Sequence, residues 1–205
     1  MKKTFWQPLV LGIAFGLLAG IAMVSGLSFM VSSTGASNVI GFFMILFLLS
    51  AALGGPLAGA TTSTICVLFV AMFGAPDMKA VSSDPVVLWT NVVVMGTLVA
   101  LIGFAYRLIF ERVKMPTRLL PWAGIVIAFY LLSSPINIGI QFTLNGEAGI
   151  LSAVLGSYKD YIPQALFDIF FTSLVFIALP SSYTRPRWYE PRKAPDRSSK
   201  VQGNR

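Results

Sequence analysis

Residues 161–183 read YIPQALFDIFFTSLVFIALPSSY, an apolar run from Tyr161 to Tyr183 that carries one carboxylate, Asp168. An acid at the centre of a spanning segment costs about 2.5–3.5 kcal/mol on insertion scales, so such a group faces a cavity or a partner inside a bundle. The run is therefore a helix that needs neighbours, and the neighbours must offer Asp168 something polar.

Composition sets the class of those neighbours. The 205 residues are 56% hydrophobic and only 11% charged, with a mean hydropathy of +0.77. That is too little polar surface to coat a soluble globule. Several runs approach the roughly 20 apolar residues that a spanning helix needs, and period-two alternation is absent, which argues against an outer-membrane barrel. The expected fold is an all-α membrane protein, a six-transmembrane-helix bundle over residues 1–184 with helices at about 5–31, 39–53, 57–73, 86–110, 120–142 and 162–183. The single cysteine, Cys66, rules out an intrachain disulfide, and the absence of histidine removes the commonest metal ligand and general base. Neither an enzyme nor a metal or cofactor site is expected.

The first helix follows Met1-Lys2-Lys3, a basic start shared with signal peptides; its length and the lack of a prompt small-residue cleavage site favour a retained helix. Within it Gly12, Gly16 and Gly20 recur every four residues and so line one face, where another backbone can approach closely. That face serves either packing within the chain or docking of another membrane protein. A polar break at residues 32–38 separates the first two helices, and Gly54-Gly55-Pro56 turns the chain at once into the third. Its run Thr61-Thr62-Ser63-Thr64 suits hydrogen bonds to helix backbone. In the fifth helix Pro135 frees a backbone carbonyl and bends the chain, which is tolerated where protein or water satisfies that group. The loop at 143–160 has apolar pairs, Ile150-Leu151 and Val154-Leu155, at the spacing of a short interfacial helix. The tail at 185–205 is rich in Pro, Arg, Lys and Ser and reads as disordered.

Charge orients the bundle. Thirteen of the fifteen Lys and Arg lie at the amino terminus, between Arg107 and Arg118, or in the carboxyl tail. The positive-inside rule then makes both termini cytoplasmic, and six crossings agree with it. The net charge of +7 reflects that bias beside anionic lipid, without any need for nucleic acid. In this orientation Asn91, Asn137, Gln141, Gln164 and Asp168 all fall in the outer half of helices four to six. At 1.5 Å per residue Asp168 lies about 8–9 Å below the outer end near Ile162. Gln164, Asp168 and Thr172 share one face, while Ser134, Asn137 and Gln141 form a stripe on helix five. Apolar walls with a few converging polar groups make a ligand site, with Trp89 or Tyr161 available to stack on a small polar or heteroaromatic solute. The alternative is a set of interhelical hydrogen bonds that hold the bundle together.

The layout resembles the substrate-binding membrane subunits, or S components, of energy-coupling factor transporters. The resemblance rests on the six-helix length, the small residues spaced by four in helix one, the turn Gly55-Pro56-Leu57-Ala58-Gly59 and the outer polar groups. It implies a subunit in the cell membrane that captures a vitamin-like micronutrient from outside. It also implies partners, a transmembrane coupling subunit and two ATPases, with Gly12, Gly16 and Gly20 on the docking face. The same turn, in Gly54-Gly55-Pro56-Leu57-Ala58-Gly59, is similar to the multi-helix sensor module of bacterial histidine kinases. A proton-coupled carrier using Asp168 is a further alternative.

Overall fold

The computed structural model of the chain describes residues 3–33, 36–74, 84–114, 116–145, 149–180 and 184. It contains α1 (Lys3–Val24), β1 (Ser28–Ser33), β2 (Ala36–Gly41), α2 (Phe43–Phe73), α3 (Pro85–Arg112), α4 (Leu119–Asn145) and α5 (Ile150–Ala178). Five of these helices are long and apolar enough to cross a membrane, which makes this a helical, multi-pass membrane protein.

α2 is a helix with a reversal inside it. Gly55 has φ 78° and ψ −169°, a backbone region that is essentially confined to glycine, and Pro56 follows it. A Cβ placed on Gly59 would stand 3.0 Å from the Cβ of Ala51. Eight residues along a straight helix would separate them by about 12 Å, so the chain doubles back at Gly55 into two antiparallel arms. Gly55→Ala should therefore cost about 1–3 kcal/mol and lower the thermal unfolding midpoint in detergent by about 2–12 °C. Gly156→Ala, within α5 and with open space around it, is the control that should not fall.

Glycines bring the other helices onto these arms. Gly12, Gly16 and Gly20 of α1 lie against Thr61, Ile65 and Phe69 in turn, so α1 runs parallel to the second arm. The Thr62 hydroxyl donates to the carbonyls of Ala58, at 2.8 Å, and Gly12, at 3.1 Å. α3 runs antiparallel to the same arm: Gly103 meets the backbone of Gly55 and Pro56, and Gly59 meets Val99. α4 and α5 form an antiparallel pair, shown by Trp122 with Thr172 and Tyr130 with Asp168. The deep core joins Leu48, Val70, Val99, Tyr106, Trp122 and Val126.

The boundaries depart from the expected ones at three places. The first helix ends at Val24, not near Val31, because Gly26 turns the chain at φ 64° and the next residues pair as a hairpin. Met30 lies opposite Val39, and Val31 opposite Asn38, so the stretch assigned to the start of the second helix is β2. β-branched and aromatic residues flank a polar stretch of sequence here, which is hairpin chemistry in a run too short to show clear alternation. The expected interfacial helix at 150–155 is also not separate; α5 runs through it and past Pro163 to Ala178. Tyr183 and the tail at 185–205 lie outside the described residues.

Pro135 is accommodated as its chemistry requires. It cannot donate to the carbonyl of Leu131, and that oxygen instead accepts the hydroxyl of Tyr158, at 3.2 Å. One turn away Ser134 and Ser157 join hydroxyl to hydroxyl at 2.5 Å, a second fastening between α4 and α5.

Candidate functional site

Asp168 is fully buried on the inward face of α5. Its Oδ2 accepts the hydroxyl of Tyr130 at 2.5 Å, and its Oδ1 accepts the Nε2 of Gln164 at 2.9 Å. Gln164, one helical turn away, reaches a third element. Its Oε1 accepts the backbone N–H of Gly41 at 2.7 Å, and its Nε2 donates to the carbonyl of Gly41 at 3.0 Å. Below the carboxylate, Thr172 donates its hydroxyl to the Asp168 carbonyl at 2.5 Å and accepts the indole N–H of Trp122 at 2.8 Å.

The arm lengths of α2 set the level at which Gly41 meets Gln164. The first arm, 43–54, rises about 18 Å and the second, 56–73, about 27 Å. The hairpin thus meets the first arm about 9 Å short of the level reached by Phe73. The outward N–H and C=O of a strand edge need partners, and here protein supplies them. The side-chain amide of Gln164 does so in the two-point manner of a neighbouring strand. Beside it Phe42 lies edge-on to Phe167 and Phe171, with ring centroids 5.3 and 6.4 Å away.

The expected site residues fall into three groups. Gln164, Asp168 and Tyr161 come together, the ring of Tyr161 standing 5.7 Å from that of Tyr130. Asn91 and Trp89 do not join them: Asn91 bonds back to the Val87 carbonyl of its own helix at 2.9 Å, and Trp89 is exposed on α3. The side chains of Asn137 and Gln141 lie outside the described residues. Tyr130 and Gly41 escaped the sequence reading. Tyr130 stands four residues before Ser134, so extending the stripe on that helix by one turn finds it. Gly41 carried no comparable signal, since its contribution is backbone.

Two further expectations meet other surroundings. Gly12, Gly16 and Gly20 are covered by the chain's own second α2 arm, so the glycine face is occupied within the molecule. Among the described residues, an apolar groove of about 400 Å³ lies at the other end, lined by Trp6, Pro8, Leu11, Ala14 and Gly54 among others, and it does not reach Asp168.

Chemically the Tyr130–Asp168–Gln164 set is a chain of donors closed on a carboxylate, holding both hydrogen-bonding groups of one peptide residue. It holds and orients that residue. Compared with known proteins, the chain matches no family model, no curated protein and no solved structure.

Proposed function

We propose that the chain is the substrate-capturing membrane subunit of an energy-coupling factor importer, with six crossings, both termini cytoplasmic and its solute taken from the outside. The reversal at Gly55 supports the count, because it folds α2 into two antiparallel arms. Six crossings then put Gly55 and the basic stretch from Arg107 to Arg118 on the cytoplasmic side with both termini, in keeping with the positive-inside rule. The hairpin lies towards the outside.

The observation that carries the reading is the junction of Gly41 with Gln164, Asp168 and Tyr130. Groups from α4, α5 and the hairpin meet at one level around Asp168. A vitamin-like solute with adjacent donor and acceptor atoms matches what Gln164 already holds in Gly41. The carrier reading gains no such support: a proton relay must reach water, whereas Asp168 is enclosed with both oxygens engaged.

Purification of the native protein in mild detergent, followed by mass spectrometry of the proteins that accompany it, tests the proposal. Recovery of a membrane coupling subunit and two ATPases is the expected result. Recovery of a histidine kinase would replace it with the sensor reading, and isolation of the chain alone would favour an autonomous carrier.

A further inference from the structure

The molecule divides into two unequal halves. α1, both arms of α2 and α3 pack closely along their lengths through the glycine contacts, whereas the α4–α5 pair touches them sparsely. Two clusters stand out in that sparse contact. At the inner end, the ring of Tyr106 lies 5.4 Å from that of Trp122 and 5.2 Å from that of Phe176. All three are buried, and the Tyr106 hydroxyl donates to the Thr184 carbonyl at 3.1 Å. At the outer end, the contact is the two-point bond of Gln164 to Gly41, backed by Asp168 and Tyr130 and flanked by Phe42.

We propose that the α4–α5 pair swings about the inner aromatic cluster as a pivot, and that the Gln164–Gly41 junction is the latch which holds the outer end shut. The two contacts differ in burial and in what can replace them: the inner rings are buried, whereas Phe42 and Phe171 at the outer end are exposed. Interlocked rings have no better partner in water or in a polar solute. A hydrogen bond to a peptide group exchanges readily for one to water or to a solute with the same donors and acceptors. The outer end therefore opens and the inner end stays. Opening separates Gly41 from Gln164 and exposes the amide of Gln164, the oxygens of Asp168 and the hydroxyl of Tyr130 to the same gap. The direction of opening rests on the capture reading above; the motion itself is measured without solute or partner, so the two can fail separately.

Paired spin labels in the full chain, in a Cys66→Ala background, measure the motion. The outer pair is Leu27→Cys with Ile162→Cys, and the inner pair is Leu108→Cys with Leu120→Cys, all at exposed positions. Gln164→Ala removes both bonds to Gly41 and is expected to add a longer-distance population to the outer pair while the inner pair keeps its distribution. Tyr130→Phe keeps the ring and removes the hydroxyl that backs Asp168, so a smaller change of the same kind is expected. It carries the test alone if the Gln164 variant does not purify folded. An outer distribution that stays unchanged, or an inner one that moves as much as the outer, overturns the proposal.

Discussion

Gly16→Leu destabilises the isolated protein, whatever it does to a partner. A Cβ at position 16 would stand 2.7 Å from the Cβ of Ile65 and 2.9 Å from the carbonyl oxygen of Thr62. Carbon atoms rest at about 3.5–4.0 Å, so α1 must move away from the second α2 arm before the rest of a leucine is placed. One of the displaced atoms is backbone, which cannot swing aside as a side-chain tip can. The displacement also breaks the bond from Thr62 to the Gly12 carbonyl. Overpacking of this kind costs about 3 kcal/mol or more, a fall of roughly 6–12 °C in the unfolding midpoint for a chain of this size. Leu17→Ala, on the exposed side of the same helix, should leave the midpoint within about 1–2 °C. Circular dichroism melting of the isolated subunit in detergent decides the matter. If Gly16→Leu melts like the parent yet no longer assembles with partners, the glycines belong to an external interface and the packing described here is wrong.

Asp168→Leu is the second large effect. The carboxylate accepts from Tyr130 and Gln164 in a site with no exposure to solvent, and leucine accepts from neither. Each orphaned buried donor costs about 1–3 kcal/mol, so the substitution should remove about 2–6 kcal/mol. Asp168→Asn is far milder, because the asparagine oxygen keeps one donor and the tyrosine hydroxyl can turn to accept from its amide. Equal midpoints for the two variants would contradict a structural contribution of the network. The asparagine variant, being folded, is also the one in which to measure solute affinity, where a tenfold or larger loss is expected if the carboxylate orients the solute.

The helical class and the turn at Gly54-Gly55-Pro56 were legible because composition and backbone restriction are local properties. The pairing of Gln164 with Asp168 was legible for the same reason, being a spacing of four on one helix. What escaped was everything carried by backbone at long range. Residues 28–41 look like the frayed end of one apolar run and the start of another, and only tertiary structure shows that Gly41 is seated on a side chain 123 residues away. Asn91 illustrates the opposite error. An amide at the right depth was read as part of the site, yet its own helix offers a carbonyl four residues back, and that nearer partner wins. Trp89 was placed by depth alone, which fixes height in the membrane but not direction around the helix axis.

The parallel pairing of α1 with the second arm of α2 sets an order of events during synthesis. Thr62 meets Gly12 across 50 residues of chain, and the adjoining first arm of α2 is not the partner that the glycines contact. At about 5–20 residues per second, α1 waits about 3–10 s beyond its own synthesis before the surface that covers its glycines has been made. During that interval a bare row of Gly12, Gly16 and Gly20 faces lipid or the insertion machinery. The helix α1 is thus made before its partner and is locked only once the second arm of α2 has followed it, ahead of α3, α4 and α5.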